Sequence, residues 1–169
     1  MKEMENHKEL YKKRRVSKFT GELLPISDRE VIEHYTANNS GMELGYHLYN
    51  RLNISTQIAK RKYIISNLPA KEITKIKQIE IKKVNMEFTD KISRHIEVLE
   101  VIDKSNFGNN IEDFNEVAFK SMIKQFSKMY DRETLNYVAD KCTYQKEVAD
   151  KAIELLEVIK WLIKNAKRN

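Results

Sequence analysis

The chain predicts an all-α protein, a multi-helix bundle in which short N-terminal helices of helix-turn-helix-like order precede long C-terminal helices. Three observations carry that expectation. Only four Gly and two Pro occur in 169 residues, so the residues that most often end helices are scarce. The composition, 41% apolar with 33% charged and rich in Lys, Glu, Ile and Leu, suits amphipathic helices. Third, the segment from Asp131 to Lys167 carries a seven-residue apolar repeat. Leu135, Cys142, Ala149, Leu156 and Ile163 interleave with Val138, Gln145, Ala152, Ile159 and Ala166 at steps of three and four, the spacing of a coiled-coil seam or bundle core. Val148, Leu155 and Leu162 widen the stripe, which favours a bundle over a two-stranded rod.

The elements follow in order. The first fifteen residues are mostly polar and end in Lys12-Lys13-Arg14-Arg15, a frayed helix or arm. Residues 16–25 contain Gly21 and Pro25 and form a loop. Ser27-Asp28-Arg29-Glu30 is a capping box, flanked by Ile26 and Val31 as a hydrophobic staple. It opens a helix over 28–37 with Val31, Ile32 and Tyr35 inward, which Asn38-Asn39-Ser40-Gly41 ends. A second box, Ser40-Gly41-Met42-Glu43, opens a helix to about Leu52 with Leu44, Leu48 and Leu52 on one stripe. Asn53-Ile54-Ser55 is a tight turn, because Asn tolerates the left-handed conformation of a helix exit. Ser55 then caps a third helix from Thr56 to about Asn67.

From Pro69 to about Lys104 the apolar positions Ile73, Ile76, Val84, Phe88, Ile92, Ile96, Leu99 and Ile102 share roughly one helical face. Ile79-Glu80-Ile81 and the run from Val84 to Phe88 alternate with a strand's period instead. No turn residues separate them, so one long helix is expected, with a break near Thr89-Asp90. Residues 105–110 form a loop around Gly108. Asn110 caps a helix to about Tyr130, burying Phe114, Val117, Ala118, Met122, Phe126 and Met129. Asp131 caps the last helix.

Two regions result: residues 1–68, a basic arm and helix-turn-helix-like head, and residues 69–169, a long-helix bundle and oligomerisation region. Charge is uneven between the two halves of the chain. Residues 1–83 hold 17 Lys and Arg against 10 Asp and Glu, a net of +7, while residues 84–169 hold 14 against 15. An excess confined to one half is expected of a polyanion-binding head on a neutral scaffold. The N-terminus is polar rather than signal-like, and no stretch reaches the length of a membrane span. Cys142 has no second cysteine to pair with. A cytoplasmic protein is expected.

Chemistry-bearing constellations are few. Glu30 and His34, and Glu43 and His47, are four apart as ordinary helix neighbours, and no metal-ligand pattern appears. The histidines are dispersed, and Cys142 sits on the apolar seam. Gly41 and Gly45 form a lone Gly-x-x-x-Gly, which lets helices approach or marks a helix start. Neither a cofactor nor enzymatic catalysis is expected. The second and third short helices do form a helix-turn-helix pattern, with Leu48, Leu52 and Ile54 as packing positions. Tyr49 and Lys62 depart from it, since a small and an apolar residue are usual there. Gln57, Lys60, Arg61 and Lys62 would face duplex DNA, with Tyr63 beside them. Gln suits adenine, Arg or Lys suits guanine, and further cations meet phosphates. Lys12, Lys13, Arg14 and Arg15 would run along the backbone, and Lys71, Lys75, Lys77, Lys82 and Lys83 extend the positive field.

The function expected is therefore that of a small DNA-binding protein, a regulator or packaging-type protein, that forms homo-oligomers. The alternative is a helical interaction module that captures a protein partner. In that case Trp161, which lies off the seam near Glu154, Glu157 and Lys164, would anchor the interface together with Leu155 and Leu162.

Overall fold

A computed structural model describes residues 16–105 and 110–166. It contradicts the all-α bundle. The chain holds a four-stranded mixed sheet as well as helices, so the fold is α/β. The chain forms two compact units, each discontinuous in sequence: Met1–Glu43 with Lys60–Phe88, and Leu44–Ala59 with Thr89–Asn169.

The first unit begins with an antiparallel bridge between Val16 and Leu23, closed by a turn at Gly21, as the loop expectation implied. Helix α1 (Asp28–Thr36) has the predicted capping box. The Ser27 hydroxyl accepts the Glu30 N–H at 3.2 Å, and the Glu30 carboxylate accepts the Ser27 N–H at 2.8 Å. Asn38 and Asn39 then turn the chain at φ of 54° and 57°. Strands β1 (Gly41–Leu44), β2 (Lys62–Ser66), β3 (Ile73–Ile76) and β4 (Ile79–Lys83) lie in the order β1-β2-β4-β3. β2 runs parallel to β4, with Lys62 opposite Ile79 and Ser66 opposite Lys83. β3 runs antiparallel to β4, with Ile73 opposite Lys82 and Ile76 opposite Ile79. Val31 and Tyr35 of α1 pack on Ile64, Ile79 and Ile81.

Two expected helices thus give way to strands. Residues 62–66 and 73–83 are rich in isoleucine, whose branched β-carbon is crowded in a helix and fits a pleated surface. The alternation at Ile79-Glu80-Ile81 was the informative signal. The turn before it escapes a search for Gly, Asn or Pro because it is Lys77-Gln78. Lys77 takes φ 53°, a left-handed conformation that costs a lysine about 1–2 kcal/mol. Its ammonium donates to the Ile26 carbonyl and lies 3.8 Å from Asp28 Oδ1, contacts that offset the cost. The second capping box also fails. A Cβ on Gly41 would fall on the carbonyl oxygens of Ile65 and Tyr35, so this glycine serves close strand approach and not a helix start.

The second unit holds α2 (Tyr46–Arg51), α3 (Asp90–Ser105), α4 (Glu116–Phe126), α5 (Arg132–Lys141) and α6 (Lys146–Ala166). α3 packs against α4, α5 and α6, and its Ile96, Leu99 and Val101 are fully buried. The expected break near Thr89-Asp90 is the start of α3. Helix α4 is shorter than expected. Asn115, not Asn110, caps it by accepting the Ala118 N–H at 3.1 Å. Phe119, Ile123 and Phe126 face inward, while Val117, expected to be buried, is 79% exposed.

The long C-terminal helix is two helices. Asp131 caps α5 as expected, accepting the Thr134 N–H at 3.3 Å. The chain then breaks at Thr143, φ 61°. Here the Tyr144 N–H reaches the Ala139 carbonyl at 2.9 Å, and the Thr143 N–H reaches Asp140 at 3.1 Å. That pair of bonds is the Schellman ending of a helix. The apolar repeat survives the break in part, since Leu135, Val138, Cys142, Ala149, Ala152 and Leu156 are all buried.

Candidate functional site

The helix that would enter the major groove is absent. Residues 52–61 have no regular helix, and residues 62–66 are a strand. The helix-turn-helix is therefore withdrawn, and the DNA-binding expectation loses its motif. Asn53 does make the left-handed helix exit, at φ 57°, with the Ile54 N–H on the Tyr49 carbonyl at 2.8 Å. Strand-forming Tyr63-Ile64-Ile65 follows, so no second helix begins. Tyr49, anomalous for a helix-turn-helix, is a core residue here.

The expected contact residues separate. Gln57 belongs to the second unit, and its amide donates to the Asp113 carboxylate. Lys62 bonds Asp28 at 2.9 Å, and this ammonium holds the Asp28 carboxyl below its usual range. Lys60 and Arg61 are exposed at the entry to β2. Lys12, Lys13, Arg14 and Arg15 lie outside the described residues.

What persists is charge. Residues 60–83 hold eight Lys and Arg against Glu72 and Glu80, a net of +6 that equals the charge of the whole chain. The cations sit on strands and turns. The register places Tyr63 of β2, Glu80 of β4 and Lys75 of β3 in one row across the sheet. Arg61, Lys75, Lys77, Gln78, Ile79 and Glu80 line a cleft of about 350 Å³ at the end where β2 and β4 begin. Sequence reasoning placed Lys75 and Lys77 in the positive field. It missed their convergence, which depends on the hairpin.

A second feature is on α6. Beyond Leu156 none of its described residues is buried. Val158 is 51% exposed, Trp161 64% and Leu162 52%, while Leu155 and Val148 are half-buried. Ala149, Ala152, Ile153 and Leu156 turn to the unit's own core. The helix thus has two apolar faces, one packed and one open. The sequence indicated Trp161, Leu155 and Leu162; Val158 was missed because the heptad frame gave it no role.

A buried polar network lies on α3. Glu100 accepts the hydroxyls of Tyr49 at 3.3 Å and Tyr144 at 2.9 Å, one on each oxygen. Burial pushes the Glu100 carboxyl up, and the two hydroxyl bonds oppose that only in part. Burial, then the Glu100 charge, raises both tyrosines. Glu97 is bridged by Arg51 at 2.9 Å and Arg94 at 3.0 Å. His95 places Nδ1 2.7 Å from the Lys91 carbonyl and accepts the Asp131 N–H at Nε2. Burial lowers its pKa and favours the neutral ring these bonds require. These three sets of bonds tie α3 to α2, to the start of α5 and to the segment between α5 and α6. Among the described residues no His, Cys, Asp and Glu side chains gather in a metal-binding group, and no helix is long and apolar enough to cross a membrane.

No protein-family model matches this chain, and no curated protein or solved structure does either.

Proposed function

We propose that the protein is an interaction module whose docking face is the open side of α6, and that the partner on this face is a second copy of the chain. The observation that carries the proposal is the exposure of Trp161, flanked by Val158 and Leu162, on a helix whose opposite side is already packed. An indole with water over most of its surface is a ready anchor for an interface.

Charge along the helix favours a second copy and sets its direction. From Lys146 to Glu157 the helix holds four carboxylates against two lysines, whereas residues 158–166 hold Lys160 and Lys164 and no carboxylate. An antiparallel copy lays the acidic half along the basic half. A parallel copy sets like against like. Such exposed charges select orientation more than they add affinity. The apolar gain is modest. Removing the remaining exposed surface of Val158, Leu162 and Trp161 on both copies gives roughly 8 kcal/mol, from which association subtracts at least about 4. A weak, reversible dimer is the consequence.

Sedimentation of the full chain over rising concentration tests this. The average mass should climb towards two chains, and Trp161 emission should shift to the blue as the indole is covered. Leu162→Glu, at an exposed position, should remain one chain with its helix content intact. A wild-type mass that stays at one chain at millimolar concentration would refute the second copy as partner.

A further inference from the structure

We infer that the cleft where β2 and β4 begin is a binding site for a phosphorylated nucleoside. The inference is independent of α6. Three cations and one carboxylate line the cleft. Lys75 is 3.3 Å from Glu80, and Lys77 is anchored on the Ile26 carbonyl, so both charges are held in place. Arg61 is exposed and has no carboxylate partner among the described residues. A guanidinium in that state suits the forked oxygens of a phosphate.

The remaining groups select more than a bare anion. Glu80 and Gln78 stand among the cations, and a carboxylate there repels inorganic phosphate. The same carboxylate and the Gln78 amide can bond the polar edge of a base. Tyr63 lies directly across the parallel pair from Glu80 and is 42% exposed, which offers a base an aromatic surface to stack on. The volume, about 350 Å³, is at the lower end for small-ligand sites and fits one nucleotide. Lys82, two residues along β4 from Glu80, extends positive charge beyond the cleft for neighbouring phosphates. The nucleoside phosphate is thus either a free nucleotide or one unpaired unit of a single strand.

Calorimetric titration of the full chain at low salt separates these outcomes, with inorganic phosphate, mixed nucleoside 5′-monophosphates, a short single-stranded oligonucleotide and its duplex as probes. Nucleotide should bind at least about tenfold tighter than phosphate, because stacking and base contacts add to the charge. Arg61→Ala and Tyr63→Ala should each weaken binding about tenfold, and Tyr63→Phe should bind like wild type because the ring remains. Lys128→Ala should change nothing. A single strand binding more tightly than the monomers assigns the site to a strand, and monomers binding equally well assign it to free nucleotide. Either result supports the site. Phosphate binding as tightly as nucleotide, duplex binding more tightly than single strand, wild-type affinity in Arg61→Ala, or no saturable binding would each overturn it.

Discussion

Gly41 shows how one atom fixes a strand. The carbonyls of Tyr35 and Ile65 leave no room for a Cβ there, and both belong to backbone that cannot turn aside. Gly41→Ala is expected to cost about 1–3 kcal/mol through overpacking, read as a lower urea midpoint; an unchanged midpoint would show that β1 can move away. At Glu100 the issue is charge. Its carboxyl is raised above the usual 4.5 by burial, so the folded state binds the proton more tightly than the unfolded one. Its contribution is fully present below pH 4.5 and is lost as pH rises through the raised value. Glu100→Gln removes that dependence. The thermal stability of the variant relative to wild type is therefore expected to improve steadily as pH rises from below 4.5. A gap that stays constant, or that moves towards wild type, contradicts the buried carboxylate's role. Glu100 did not stand out in the sequence, and Gly41 stood out only as a helix start or helix approach, because the role of each depends on neighbours distant along the chain.

Helix ends and turns decide which elements could be read in advance. Ser27-Asp28-Arg29-Glu30 and Asn53 announce themselves, and α1 and the exit from α2 are found where they indicate. The same Schellman ending recurs at Thr143, where a β-branched residue takes the position that Gly or Asn usually fills. Nothing local marks that break, so an apolar repeat running through it reads as one helix. Lys77 hides the β3–β4 turn in the same way. Both are non-glycine residues held at positive φ by the structure around them. The cost at Thr143 is measurable: Thr143→Gly should raise stability by about 1 kcal/mol, seen as a higher urea midpoint, and a fall would mean the threonine hydroxyl contributes more than the backbone strain costs. The charge excess was legible as composition. The cleft was not, because Arg61, Lys77 and Glu80 meet only once the strands are paired.

For the molecule as a whole, two surfaces remain to be used: a positively charged strand region in one unit and an apolar helix face in the other. The helix-turn-helix that would have joined charge to duplex DNA is gone, and exposure of Trp161 moves the weight to association. Direction of pairing is the sharpest consequence. With the twofold near Val158, residue 158 of one copy meets residue 158 of the other. Residue 151 instead meets residue 165, about 21 Å along the helix from its own counterpart. Single cysteines at these sites, in a Cys142→Ala background, separate the arrangements under mild oxidation at high protein concentration. Val158→Cys should form a disulfide-linked dimer and Lys151→Cys should not. Cross-linking at 151, or none at 158, would contradict antiparallel pairing through α6.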